Sequence, residues 1–369
     1  MKFSCEKEVI LKEISIAQDI ISSRNTVSIL SNVLLETSEN NLRIKATDLK
    51  VSFETNINVE TKQAGSTTIF CDKLLGILRS LPEGEVDFDL RQEDMMLFIR
   101  PVFQKIDFKL KSVPADKYPE IKEIKEDTYF ELPQKEFMDM ISKTLFAVSN
   151  DESRYFMNGV YFEKANGNLV MVATDGRRLS YIAKAVDIEP ESIKGVIIPP
   201  KILHLVRKLS TGEGNIFIAL GDNNLFIRFN QHKLTSNLID AQFPNYERVI
   251  PEEQAQRFSV ERQALQAALR RVSLLVEEKS RRILLNVQSG NLVVSSSEGD
   301  IGMAKEEMPC EYEGPEITLA LNYVYLIDPL KEMETERVSL EFSEPDKAIT
   351  LKPIPEKDFF HIIMPMQIN

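Results

Sequence analysis

Three stretches of the chain carry one pattern: Phe3-Ser-Cys-Glu-Lys-Glu-Val-Ile-Leu-Lys-Glu-Ile-Ser-Ile-Ala-Gln18, Phe130-Glu-Leu-Pro-Gln-Lys-Glu-Phe-Met-Asp-Met-Ile-Ser-Lys-Thr-Leu145 and Phe258-Ser-Val-Glu-Arg-Gln-Ala-Leu-Gln-Ala-Ala-Leu-Arg-Arg-Val-Ser273. They lie 127 and 128 residues apart. Equivalent positions stay apolar (Ile10/Phe137/Leu265, Ile14/Ile141/Leu269, Ile21/Val148/Val276), at the spacings of four and seven that mark one buried helical face. Working outward, Asn41-Leu42 to Thr47-Asp48 matches Asn168-Leu169 to Thr174-Asp175 and Asn291-Leu292 to Ser297-Glu298. Lys73-Leu74-Leu75, Lys201-Ile202-Leu203 and Asn322-Tyr323-Val324 form a further set. A threefold repeat of ordinary domain size predicts three domains, 1–125, 126–251 and 252–369.

Each repeat doubles internally. In the first, a strand at Met1–Cys5 leads to a helix at Val9–Ser22 and strands around Val27–Thr37, Leu42–Thr47 and Val51–Val59. The cycle restarts with a strand at Thr67–Cys71, a helix at Asp72–Arg79, the turn Leu81-Pro82-Glu83-Gly84, and strands near Val86–Leu90, Met95–Arg100 and Lys105–Lys111. Asn40-Asn41, Asn166-Gly167 and Gly290-Asn291 read as hairpin turns between apolar runs. Each domain is therefore expected to be two βαβββ halves, two helices packed on antiparallel sheets. The class is α+β.

Composition narrows the function. Of 369 residues 43% are apolar, enough for sizeable cores, and no apolar run approaches the ~18 residues that span a bilayer. Acids and bases stand where a secretory apolar segment would lie, so no export signal is read. Cys5, Cys71 and Cys310 are isolated, which excludes a disulfide scaffold or thiolate metal site and points to the cytoplasm. His204, His232 and His361 have no neighbour at metal-ligand spacing, and P-loop, GxSxG, HExxH and GxGxxG strings are absent. No cofactor, metal or catalytic residue is expected. The most reactive-looking string, Thr174-Asp175-Gly176-Arg177-Arg178, reads as a turn, since Asp-Gly suits a positive-φ corner and Asp175 repeats Asp48.

A net charge of −12 argues against gripping a polyanion. The charge is sorted, however. The six expected helices (6–23, 72–80, 134–149, 200–210, 261–276 and 321–333) hold 13 Lys+Arg against 10 Asp+Glu, a net of +3 that leaves −15 elsewhere. A mildly basic helical surface on an acidic body suits weak, sequence-independent contact with DNA, because every phosphate contact adds salt-dependent affinity and friction.

The whole chain resembles the bacterial β sliding clamp family, the processivity subunit of DNA polymerase III. The resemblance is collinear and rests on Met1-Lys2-Phe3, Leu30-Ser31-Asn32, Ala46-Thr47-Asp48-Leu49, Leu81-Pro82-Glu83-Gly84, Tyr155-Phe156-Met157-Asn158-Gly159, Ala173-Thr174-Asp175-Gly176-Arg177-Arg178-Leu179, Phe243-Pro244-Asn245-Tyr246-Glu247-Arg248-Val249-Ile250-Pro251 and Ile363-Met364-Pro365-Met366. It implies a non-catalytic, head-to-tail homodimer closed into a six-domain ring. Such a ring encircles double-stranded DNA and recruits the DNA polymerase III alpha subunit, other polymerases, the clamp loader and repair proteins.

The resemblance also implies residue roles. A pocket for short linear motifs would use Met157, Thr174, Gly176, Arg177, Arg178, Leu179, Pro244, Arg248, Val249, Tyr325, Ile362, Ile363, Met364, Pro365 and Met366. Methionine makes adaptable apolar surface, and Arg and Tyr are favoured anchors. Read from its residues alone, the apolar tail has a competing structural reading, the closing edge strand of the third domain, and both can hold because Pro365 would interrupt a ladder and leave the last residues free. DNA contact would fall to Arg24, Arg154 and Tyr155. The dimer contact would set Phe108 and Leu110 against Leu274 and Leu275, with lysines of 105–111 meeting Glu306 and Glu307. Three positions depart from the best-known members: Arg177 replaces a histidine, Phe156 a tyrosine and Ser280 an aromatic. Two other readings compete, an enzyme on a repeated scaffold and a monomeric peptide-binding adaptor.

Overall fold

The structure is a computed structural model, and it describes residues 1–21, 28–188, 193–299 and 302–368. Arg24, one of the expected DNA contacts, lies outside the described residues. The first repeat runs β1 (Lys2–Glu6), α1 (Lys7–Ile20), β2 (Asn32–Ser38), β3 (Asn41–Thr47), β4 (Val51–Asn58), β5 (Glu60–Gln63), β6 (Gly65–Phe70), α2 (Cys71–Ser80), β7 (Glu85–Arg91), β8 (Met96–Pro101) and β9 (Phe108–Val113). The second runs β10 (Phe130–Pro133), α3 (Gln134–Ser142), β11 (Val160–Ala165), β12 (Asn168–Thr174), β13 (Arg178–Ala185), β14 (Ile193–Ile198), α4 (Pro200–Leu209), β15 (Asn215–Leu220), β16 (Asn224–Phe229) and β17 (His232–Asn237). The third runs β18 (Gln256–Glu261), α5 (Arg262–Val272), β19 (Arg282–Gln288), β20 (Asn291–Ser296), β21 (Lys305–Pro309), β22 (Ile317–Asn322), α6 (Tyr323–Glu332), β23 (Arg337–Phe342), β24 (Ile349–Ile354) and β25 (Phe359–Ile363). Six βαβββ halves follow one another; β5 alone is additional, a short strand that its polar sequence Glu-Thr-Lys-Gln does not announce.

Chain contacts group these elements into two compact units: Met1–Gln134 with Glu213–Leu238, and Lys135–Gly212 with Ile239–Asn369. The first unit holds one sheet in the order β10-β15-β16-β17-β4-β3-β2-β6-β9-β8-β7-β1-β5. The second holds β14-β11-β12-β13-β25-β24-β23-β18 and a separate β21-β20-β19-β22. Every paired strand is antiparallel. The strands of the central repeat are thus shared out: β10 and β15–β17 join β4, while β11–β14 join β25.

The helices cover the cores as the periodicity requires. Ile10, Phe137 and Leu265 are fully buried, as are Ile14, Ile141 and Leu269. The third set, Ile21, Val148 and Val276, falls just past the regular helices, each capping the last turn. The expected helices 134–149 and 261–276 end early, at Ser142 and Val272, and continue as short 3-10 turns. Thr144 Oγ1 donates to Met140 O at 2.8 Å and Ser273 Oγ to Arg270 O at 2.8 Å, local bonds that compete with continued helix. The strand expected from Val27 begins at Asn32, after a 3-10 turn at Ser28–Ser31. The three hairpins close with Ser38↔Asn41, Ala165↔Asn168 and Gln288↔Asn291 opposite each other. Their turn residues are therefore Glu39-Asn40, Asn166-Gly167 and Ser289-Gly290, one position earlier than expected in the first and third.

In the first unit a carboxylate is enclosed between α1 and β17. Glu13 Oε2 lies 3.0 Å from His232 Nε2, and Gln231 Nε2 donates to Glu13 Oε1 at 2.9 Å. Burial pushes the Glu13 carboxyl up, but these hydrogen bonds outweigh it and hold it below the usual range.

Candidate functional site

The expected pocket residues gather in the second unit, around the seam where β13 pairs with β25. Arg178 faces Ile363 across this seam and Leu179 faces Ile362. The tail strand β25 does close the third repeat's set β18-β23-β24-β25, but its outer edge is not open: it pairs onward with β13 of the central repeat. Nor does Pro365 leave the last residues free. Met364 N–H donates to Arg177 O at 2.9 Å, Met366 N–H to Ala320 O at 2.8 Å, and Arg282 Nη1 to Gln367 O at 3.1 Å. Backbone carbonyls of two neighbouring elements replace the lost ladder partner and pin the end of the chain.

One lip of the site is the turn between β12 and β13. Asp175 Oδ1 accepts from the Arg177 and Arg178 amides at 2.9 and 3.1 Å. Thr174 Oγ1 accepts from Gly176 N–H at 3.0 Å and donates to Arg178 O at 2.6 Å. Gly176 sits at φ +84°, and a Cβ there would come within 2.9 Å of Arg154 Nη1. The first repeat builds the same turn on Thr47 and Asp48, with Leu49 at φ +72° in the glycine position. The repeat therefore extends to individual hydrogen bonds.

The opposite lip is the segment 239–250, which crosses the sheet face. Phe243 joins Val170, Val172, Leu179, Ile197 and Ile362 in one apolar cluster, with Tyr246 and Ile250 packed against it. Tyr161 stacks on Phe243 at 4.9 Å. The hydroxyls of Tyr161 and Tyr246 both donate to Glu163, at 2.9 and 2.8 Å, tying the segment to β11. Burial first, then Glu163, pushes the Tyr161 hydroxyl up to about 12 and the Tyr246 hydroxyl further. With Phe243 and Tyr246 pointing down, Arg248 and Val249 stay exposed.

The expected pocket residues therefore divide into floor and rim. Leu179, Ile362, Ile363, Met157 and Thr174 are buried floor; Gly176, Arg177, Arg248, Val249 and Met364 are exposed; Pro244, Pro365, Met366 and Tyr325 lie between. Arg178 is nearly enclosed and fully engaged. Its Nε bonds Asp175 Oδ2 at 3.1 Å, Nη1 bonds Asp328 Oδ2 at 2.9 Å, Nη2 donates to Phe146 O at 2.5 Å, and its plane lies 4.7 Å over the Tyr325 ring. It shapes the lip from beneath, joining the central repeat to α6. Sequence reasoning missed Asp328 and Glu163, whose partners lie 150 and 83 residues away along the chain.

Of the expected DNA contacts, Tyr155 is exposed. Arg154 bonds Asp151 Oδ2 at 2.9 Å and Asp175 O at 3.1 Å, which ties it to the turn at Gly176. Of the expected dimer contacts, Leu274 is 81% exposed while Phe108, Leu110 and Leu275 are half-buried. Glu306 and Glu307 are already paired within the chain, with Arg271 and with Lys305. At exposed positions of the six α-helices stand nine Lys or Arg and three Asp or Glu, so the charge sorting is sharper on the surface than in the counts. Among the described residues no helix is long and apolar enough to cross a membrane, and no group of His, Cys, Asp or Glu is placed to hold a metal ion.

A threefold α+β repeat that sets exposed Arg177, Arg248, Val249 and Met364 around a buried apolar seam is the build of a docking scaffold. Protein-family models of the DNA polymerase III beta subunit match throughout: its N-terminal domain over residues 1–122, its central domain over 131–245 and its C-terminal domain over 247–367. The chain is 44% identical to the beta sliding clamp of Treponema pallidum over 371 residues and 32% identical to that of Pseudomonas putida over 370, all of both chains being covered in each case. It superposes on the crystal structure of the Pseudomonas aeruginosa DNA polymerase sliding clamp with a TM-score of 0.92 at 30% identity, again over all of both chains. The chain belongs to the DNA polymerase III beta subunit family, the beta sliding clamps. It is a replication processivity factor of three clamp domains and is not itself catalytic.

Proposed function

We propose that two copies of this chain close head to tail into a ring around duplex DNA. The ring slides and tethers the DNA polymerase III alpha subunit to its template. Strand order supports it most directly. Within each unit one eight-stranded block follows the same rule: the opening strand and last three strands of one repeat meet the four intervening strands of the repeat before it (β5 aside), as β10-β15-β16-β17 against β4-β3-β2-β6 and β18-β23-β24-β25 against β13-β12-β11-β14. By that rule β1-β7-β8-β9 lacks a continuation and β21-β20-β19-β22 lacks a beginning. Only Ser112 and Val113 of β9 bond onward to β6, which leaves the Phe108–Lys111 edge open, and β21 is the edge of its sheet. Joining β9 of one copy to β21 of the next completes both blocks, twice per dimer, and a heterologous contact that closes makes a ring. Phe108, Leu110, Leu274 and Leu275 then flank the junction.

The clamp domains are taken as 1–125, 126–251 and 252–369. Their helices present the basic surface to phosphates, with Arg24, Arg154 and Tyr155 as DNA contacts; Arg154 serves only where a strand displaces Asp151. The groove between the turn at Gly176, the segment 244–249 and the tail at Met364 takes short linear motifs of polymerases, clamp loader and repair proteins in the cytoplasm. The test is retention on nicked circular DNA after incubation with the matching clamp loader and ATP, followed by a restriction cut. Release on linearisation is the expected outcome. Retention on linear and circular DNA alike overturns the ring, and no retention beside an active loader points to a monomeric adaptor.

A further inference from the structure

The loop between β8 and β9 carries the most exposed large apolar side chain among the described residues. Phe103 is 84% exposed, beside Val102 at 44%, and its ring edge lies 4.0 Å from where a Cβ on Gly84 would stand. Neither the fold nor the motif groove uses it. Burying so large a ring against a partner would return much of the hydrophobic free energy that exposure forgoes.

The repeat indicates where such a loop goes. Its counterparts are the loops before β17 and before β25. The first places Gln231 on Glu13 of α1 at 2.9 Å. The second holds Asp358, whose carbonyl accepts from Ala183 N–H at 2.9 Å, while Lys184 bridges Asp358 at 3.9 Å and Asp139 of α3 at 3.3 Å. In both cases the loop crosses the joint to the neighbouring repeat, touching its opening helix directly in the first and linked to it through Lys184 in the second. Counting along the repeat, Glu13 corresponds to Ala268, and Asp139 and Lys143 to Ala267 and Arg271 of α5. That stretch offers a ring half-exposed Ala264, Gln266 and Ala267 together with exposed Arg270 and Arg271.

We infer that Phe103 is an anchor of the ring contact: it docks on α5 of a second copy, on the small side chains around Ala267 and beneath the Arg271 guanidinium. Arg271 keeps its bond to Glu306 while its face covers the ring, the arrangement in which Arg stacks on an aromatic. The occupant is a second copy because the other two joints of the same chain supply the template. The inference rests on the proposed ring and adds an anchor outside the strand pairing, drawn from a loop six residues long where the equivalent before β17 has two.

The test compares dimer dissociation, by sedimentation over a dilution series, for the full chain, Phe103→Ser, Phe103→Leu and Leu274→Asp with Leu275→Asp. Phe103→Ser is expected to raise the dissociation constant about tenfold or more, as loss of an aromatic anchor does, and Phe103→Leu less. Because the side chain is exposed, the fold is expected to survive, as circular dichroism checks. A second arm oxidises Phe103→Cys with Ala267→Cys; the native cysteines are buried, so a covalent dimer is expected only from the pair. An unchanged dissociation constant for Phe103→Ser, with the double aspartate variant monomeric, overturns the inference and leaves the ring intact. If the unmutated chain is a monomer at every concentration, both fall.

Discussion

Leu49 and Gly176 occupy one position of one turn, held by the same hydrogen bonds, and differ only in whether the backbone is free to be there. A left-handed conformation costs a side-chain-bearing residue about 1–2 kcal/mol, while glycine loses about 0.5–1 kcal/mol in chain entropy. Leu49→Gly is therefore expected to raise stability by about 0.5–1 kcal/mol, read by urea unfolding. Gly176→Ala, pressed against Arg154, is expected to lower it by about 1–2 kcal/mol and to weaken motif-peptide binding. His361 supplies a pH dependence. Burial, then the neighbouring Arg178 charge, holds its pKa well below the usual value. The unfolded chain takes up a proton near pH ~6.5 that the fold refuses, so the stability is complete above that pH and is lost below it, by up to ~1.4 kcal/mol per pH unit. Thermal midpoints of His361→Leu are expected to fall less than those of the unmutated chain between about pH 7 and about pH 5; parallel curves would refute this.

At the scale of elements, the tail does two things at once. Phe359–Ile363 is a core strand, while Met364 to Ile368 lies over the ends of its neighbours with Met364 and Ile368 exposed. Deleting Met364–Asn369 spares the strand and is expected to abolish polymerase-motif binding while leaving the dimer intact, measured by fluorescence anisotropy and sedimentation. Unchanged peptide affinity would remove the tail from the groove. The hydrogen-bonded turns, the buried helical faces and the six βαβββ halves were legible because they depend on residues close in sequence. The early ends of α3 and α5 were less so, since a single hydroxyl, on Thr144 or Ser273, tips a helix end that apolar spacing would extend.

For the whole molecule, the acidic body with cationic helices favours weak direct grip on DNA, and on the proposed ring residence then depends on closure. Replacing Leu274 and Leu275 by Asp puts charge at the open end of the third repeat and is expected to give monomers that no longer remain on nicked circles. A dimer that survives both charges would place the contact elsewhere. The exposed Leu274 costs the free chain solvation and gains most when covered.

The amino-acid sequence by itself determined the threefold repeat, the α+β halves, the net charge and its sorting, and the family resemblance, because each is a periodicity or a string that short-range chemistry enforces. Only the tertiary structure decided that the central repeat divides its strands between its two neighbours, and that Arg178 is held between Asp175 and Asp328. It alone also showed that the tail is pinned beyond Pro365 and that β9 and β21 are left with open edges. Those facts turn on which strand finishes beside which, and that is set by contacts between residues far apart along the chain.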